Sequence, residues 1–189
     1  MSEKTLRICH LYPDLLNLYG DRGNILCMRR RLEWRGIDAE VTEVTVGQRA
    51  DFTQFDLFFI GAIDYYTVGA KERMIGNTLF ECLPESGGSL VVGFENHSGK
   101  TYLGSGVLPL GKVLVGGGNN GEDGFEGVRY QNVFGTYSHG PVLPKNPAFC
   151  DHLLTTALRD RYPELELQPL DDAAERAAHD TMVQRLTEK

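Results

Sequence analysis

Positive charge is scarce in this chain. Of 189 residues, 19 are Lys or Arg against 26 Asp or Glu, giving a formal net charge of -7 and a pI near 5.2. Affinity for a phosphate backbone rests on clustered cations, so a nucleic-acid partner is excluded. The one basic cluster, Arg29 to Arg31, sits in a helical pattern and reads as a solvated face. Long apolar runs are also wanting: Leu57 to Ile63 is far short of the roughly 20 residues of a spanning helix, which argues against membrane insertion. The start, MSEKTLRICH, is charged and unlike a signal peptide. The four cysteines, Cys9, Cys27, Cys82 and Cys150, form no CxxC pair, so neither a zinc site nor a redox motif is indicated. No internal repeat or low-complexity linker interrupts the chain. These absences together describe a soluble protein of the reducing cytoplasm.

What is present suits a single core, since 41% of the residues are hydrophobic. LRICHLY reads as a strand, and PDLLNLYGDRGN as a loop closed by Gly20, Asp21, Gly23 and Asn24. Ile25, Met28 and Leu32 then recur at helical spacing, with Asn24 as the expected cap and Gly36 as the stop. In IDAEVTEVTV the apolar residues fall two apart, the period of a strand, and FDLFFIG reads as a continuously buried strand. Strand, helix, strand, strand is the opening of a parallel sheet with crossover helices. Beyond Asp64 glycines multiply and short strand-like runs alternate with turns, which predicts β-hairpins beside that sheet. Asn146 and Pro147 begin a second helix with the stripe Phe149, Leu153, Leu154, Ala157 and Leu158. The expected layout is a main domain over 1–162 and a charged, partly exposed helical tail over 163–189.

Individual motifs leave alternatives open. His139, in GTYSHGP, ends an expected strand where it could reach a cleft as a general base, or could serve only its own loop. GGGNNGEDG, Gly116 to Gly124, lacks the Lys and Ser/Thr of a Walker loop and reads as a hairpin turn. GDRGN falls short of a dinucleotide fingerprint. Glu95, Asn96 and His97 alternate along a strand, so structural roles are the simpler reading.

Four stretches together say more: LYPDLLNLYGDRGNIL, YTVGAKERMIGN, FENHSGKTYLG and GNNGEDGFEGVRYQNVFGTYSHGPVLPKNP. They resemble the cobyric-acid-synthase-like (CobB/CobQ-type) class I glutamine amidotransferases, and among these the GatD-type glutaminase subunits of lipid II isoglutaminyl synthase. The resemblance runs from Leu6 to about Tyr162. It implies an α/β fold with a mostly parallel sheet, flanking helices and a hairpin-rich second half. It also implies a heterodimer in which glutamine is hydrolysed and ammonia passes to a Mur-ligase-like partner, MurT. That partner spends ATP to amidate the D-glutamate of lipid II in peptidoglycan synthesis, while the glutaminase chain itself needs neither metal nor cofactor.

Such hydrolysis requires a thiolate nucleophile, a histidine to move the proton, amides around the oxyanion and a cation for the substrate carboxylate. By resemblance His139 matches the catalytic histidine and Arg73, in TVGAKER, the glutamine-binding arginine, whose guanidinium suits a carboxylate. The nucleophilic cysteine has no match. It belongs on a glycine-flanked strand-to-helix elbow, and none of the four cysteines stands in such a setting. The resemblance therefore implies an internal deletion near Gly61 and Ala62, taking the oxyanion segment and at least one strand-elbow-helix unit of roughly 30 or more residues. Three functions follow as expectations: an interrupted GatD-type glutaminase subunit, a non-catalytic partner of the synthetase, or the amidotransferase part of a corrinoid-pathway amidase.

Overall fold

The computed structural model describes residues 4–17, 20–61 and 73–188. The implied join at Gly61 and Ala62, and the DYYT segment after it, run into 62–72 and so fall largely outside the described residues.

The chain opens with strand β1 (Thr5–Leu11), helix α1 (Arg22–Glu33), strand β2 (Asp38–Val44) and strand β3 (Leu57–Ile60). These form a three-stranded sheet in the order β2-β1-β3, parallel throughout. Leu6 and Ile8 of β1 pack on Ile25, Met28 and Leu32 of α1, the face that the helical spacing predicts. Gly36 ends this helix in the left-handed region (φ 68°), and Ile37 N–H reaches back to the Leu32 carbonyl. The cap is not the expected one. α1 begins two residues before Asn24, and the buried Asn24 side chain accepts from Leu143 N–H at 2.9 Å instead. Nor is β3 buried on both faces: Leu57 and Phe59 turn to the core while Phe58 and Ile60 are about half exposed. Among the described residues only β1 pairs with it, and its outer face carries an aromatic group in which Phe58 meets Phe52 and Phe55 at 6.0 and 5.9 Å.

The second half is antiparallel. Strands β4 (Met74–Cys82), β5 (Leu90–His97), β6 (Gly111–Val115) and β7 (Phe125–Glu126) make a sheet in the order β5-β4-β6-β7, and β8 (Val128–Tyr130) pairs with β9 (Val133–Gly135). The expected hairpins are there, and the glycine-rich stretch Gly116 to Gly124 is the turn between β6 and β7. β4, the longest strand, is not evident from its sequence. MIGNTLFEC breaks alternation at a bulge between Leu79 and Phe80, so both side chains are buried. Helices α2 (Pro147–Arg159) and α3 (Ala173–Thr187) follow. Phe149, Leu154 and Leu158 of α2 enter the same core as α1, Phe80 and Val91, so one hydrophobic cluster joins both sheets. α3 buries no residue and rests on the second sheet, its His179 Nε2 3.2 Å from the Leu90 carbonyl.

One charge cluster contradicts the sequence reading. Arg29 and Arg30 are solvated, but the Arg31 side chain is 3% exposed. Its guanidinium makes paired hydrogen bonds with Asp151 of α2 (2.7 and 2.8 Å) and with Asp172, just before α3 (2.6 and 2.8 Å). Arg35, also buried, adds a 2.7 Å bond to Asp151. Helical spacing identified the residue but could not show that two acids, more than a hundred positions away, converge on it.

Two outcomes follow from this cluster. Replacing Arg31 by Met leaves Asp172 buried without its counter-charge and should cost about 3 kcal/mol, read from the denaturant midpoint. The hydrogen bonds from Arg31 hold the Asp172 carboxyl below its usual 3.8. The stability it contributes is therefore present above about pH 4 and lost as pH falls toward the lower folded value, and acid unfolding of the Asp172→Asn variant should lack that component.

Candidate functional site

His139 lies four residues beyond β9 and not at its end. It adds to the free edge of β5 as an isolated antiparallel bridge, its N–H donating to the Phe94 carbonyl at 2.8 Å. Residues opposite each other in such a bridge share a face, and so do positions two apart on a strand. Phe94, Asn96 and His139 thus belong to one face of β5. Arg73 enters from the other side, ahead of β4, and donates from Nε to Asn96 Oδ1 (2.5 Å) and from Nη2 to the Asn96 carbonyl (3.2 Å). The two residues singled out by resemblance, 66 positions apart in the chain, contact Phe94 and Asn96, two positions apart on β5.

The opposite face of β5 builds the support. Gly93 is required there: a Cβ would lie 2.8 Å from Ser138 Cβ and 3.1 Å from Thr78 Oγ1. Any side chain would push the His139 segment off the strand. Ser138 Oγ and Thr78 Oγ1 share a hydrogen bond at 3.0 Å across this contact. Tyr137 stacks on His97 with ring centroids 3.8 Å apart. Buried Glu126 accepts from Thr136 Oγ1 (2.6 Å) and Tyr137 N–H (2.8 Å). Burial pushes its carboxyl up, outweighing these hydrogen bonds.

Glu95 explains the glycine-rich turn. Its carboxylate accepts from the N–H groups of Gly117 (2.8 Å) and Gly118 (3.1 Å), so the amide cradle that could be mistaken for a phosphate loop is filled from within. Burial works against ionisation of Glu95, but the His97 ring 3.8 Å away and these amides outweigh it and hold the carboxyl below the usual range. Asn119 completes the turn by exchanging two hydrogen bonds with the Gly127 backbone. The structural reading of Glu95 holds; Asn96, in contrast, touches the candidate arginine.

Past His139 the chain crosses to the mouth of the parallel sheet. Pro141 sits against Gly23, where a Cβ would lie 2.5 Å from the proline ring, and Leu143 N–H is held by Asn24. Asn146 does not cap α2 with its side chain. It bridges Val92 instead, accepting from its N–H and donating to its carbonyl, both at 2.8 Å. The histidine turn is thereby fixed beside the N-terminus of α1, at the carboxyl end of the parallel strands, where open α/β sheets place their ligands.

No thiol joins this assembly at a strand-to-helix elbow. Cys9 is buried within β1, Cys27 lies in α1 and Cys150 in α2. Cys82 ends β4 before a single 3-10 turn, and burial pushes its thiol up to about 11, far from a thiolate at neutral pH. The described residues supply an imidazole, a guanidinium and the scaffold that holds them.

A parallel sheet beside a hairpin-rich second half corresponds to the class I glutamine amidotransferase fold, and the CobB/CobQ-like glutamine amidotransferase domain matches residues 54–147. The chain is 31% identical to subunit GatD of the glutamine-hydrolysing lipid II isoglutaminyl synthase of Staphylococcus aureus, over 95% of this chain and 96% of that protein. The GatD subunit of Streptococcus pneumoniae gives 31% identity over 88% and 86%. The chain belongs to the GatD family. A probable cobyric acid synthase of Methanothermobacter thermautotrophicus is 39% identical over 54% of this chain but only 19% of its own length. The alignment with the S. aureus subunit occupies 237 positions and takes in 95% of the 189 residues here, about 180, so about 57 of its positions face gaps in this chain.

The Glu126 carboxyl provides a direct probe of the support. Because its folded value is raised above 4.5, the stability it contributes is present below pH 4.5 and lost as pH rises through the folded value. Glu126→Gln keeps an acceptor oxygen and cannot ionise. Its urea midpoint should gain on that of the native protein between pH 4.5 and 7.5; a constant difference would show that Glu126 does not titrate in that range.

Proposed function

We propose that this chain is a GatD-type subunit that pairs with a Mur-ligase-like synthetase, the MurT type, and is itself silent as a glutaminase. Similarity to GatD along almost the whole chain supports the pairing and the lipid II pathway. The observation that carries the silence is the site itself. His139 and Arg73 both contact β5, through Phe94 and Asn96, while each of the four cysteines is committed to a strand or helix interior or to a buried strand end. A histidine can activate a thiol only within hydrogen-bond reach, and an imidazole with a guanidinium cannot replace the covalent step. The gapped positions of the alignment, about 57, support an internal deletion as the origin of the missing elbow.

Glutamine would then be bound through Arg73 without being cleaved, and the synthetase would draw on free ammonia with ATP in its own active site. The corrinoid-pathway reading is weaker, because cobyric acid synthases are matched over only a fifth of their length.

The test supplies the complex of this chain and its synthetase with ATP, lipid II and either glutamine or ammonium chloride. Amidated lipid II should form with ammonium and stay at background with glutamine, and His139→Ala should change neither result. Glutamine-dependent product that disappears in His139→Ala would overturn the proposal by revealing a working nucleophile.

A further inference from the structure

Cys27 and Cys150 take no part in the glutamine site, yet they face each other where α1 packs on α2. They are 123 positions apart in sequence and their sulfurs are 3.9 Å apart. Both are free thiols. Cys27 is partly exposed and Cys150 is fully buried behind it. Arg31, one turn along α1 from Cys27, is clamped by Asp151, the neighbour of Cys150. The hydrogen bond with Cys150 and the nearby Arg31 guanidinium make the Cys27 thiol more acidic than an ordinary cysteine, against the opposing effect of burial. Cys9 and Cys82 differ in kind: each is buried, and burial pushes each thiol up.

We propose that Cys27 and Cys150 are a modification site, joined by a reversible intramolecular disulfide when the protein meets a hydroperoxide. The partly exposed sulfur reacts first. The Cys27 thiolate attacks a peroxide oxygen, an S–O bond forms and the O–O bond breaks. The departing oxygen takes a proton from water, leaving Cys27 as the sulfenic acid and the peroxide reduced to water or an alcohol. Cys150 then attacks the Cys27 sulfur and loses its proton to the departing hydroxyl; the S–S bond forms, the S–OH bond breaks and water leaves. The net change is two thiols and one peroxide to one disulfide, one alcohol or water, and one further water. The sulfurs must approach from 3.9 Å to about 2 Å, a movement within reach of side-chain rotation and small helix shifts. Since Asn24 of α1 holds the turn that carries His139, the bond would staple that turn's support to α2.

The test exposes the full chain to hydrogen peroxide, quenches it in acid, alkylates the remaining thiols and reads intact mass and cross-linked peptides. Two of the four thiols should disappear with loss of two hydrogens, in a peptide joining Cys27 to Cys150, and dithiothreitol should restore them. Cys27→Ser and Cys150→Ser should each prevent the loss, and Cys82→Ser should not. The oxidised chain should unfold at a midpoint higher by about 10 °C, from the closure of so long a loop. The proposal is overturned if all four thiols remain alkylatable, if Cys27 proceeds to the sulfinic acid with Cys150 still free, or if the product is a disulfide between two chains.

Discussion

The crossing of residues 136–146 from the edge of β5 to the mouth of the parallel sheet is the constraint on which the site depends. A segment with so little regular structure leaves its backbone groups to be satisfied individually. Three side chains from outside or at the end of the segment do this. Glu126 holds Tyr137 N–H, Asn24 holds Leu143 N–H, and Asn146 ties Val92 to the start of α2. Each is buried, so each bond is worth more than its solvent-exposed counterpart and each loss would orphan a backbone group. Fixing this segment fixes His139, and the bridge to Phe94 sets it on the same strand that Arg73 reaches through Asn96.

This dependence separates the two halves of the site by cause. The histidine half is supported by both sheets and both major helices, which is why it is complete without a nucleophile. A thiol elbow would have come from the end of a parallel strand, and the parallel sheet has only three strands, with β3 at its edge among the described residues. A scaffold whose polar support is internal keeps its shape when its chemical partner is absent. That is the physical basis on which the architecture around His139 stands without a thiol beside it.

The first sheet was legible in the sequence because its signals are local: strand periodicity in β1 and β2, helical spacing in α1, and a glycine stop at Gly36. Residues whose roles depend on distant contacts were misread. Asn24 and Asn146 have the composition of caps, but each side chain is used as a tertiary bridge. Arg31 has the composition of a solvated face and is buried because Asp151 and Asp172 meet it. Phe58 and Ile60 read as core because apolar runs signal two-sided burial, whereas an edge strand buries one face. His139 and Arg73 could be named from their motifs, but that both contact β5 is written in the tertiary pairing, which no spacing along the chain reveals.

The Glu95 and Arg31 clusters are already paired from within, and that bears on how the chain could work with a partner. Glu95 already fills the only glycine-rich amide cradle discussed, and Asp172 and Asp151 already satisfy Arg31. Rearranging either would expose a buried charge, so a synthetase docking on this chain meets a preformed surface and not one that must fold around it. The exception is the outer face of β3, where Phe52, Phe58 and Ile60 are half exposed. That surface could change its neighbours without breaking an ion pair or a buried hydrogen bond. Rearrangement is therefore cheapest at this face of β3 and most costly around His139.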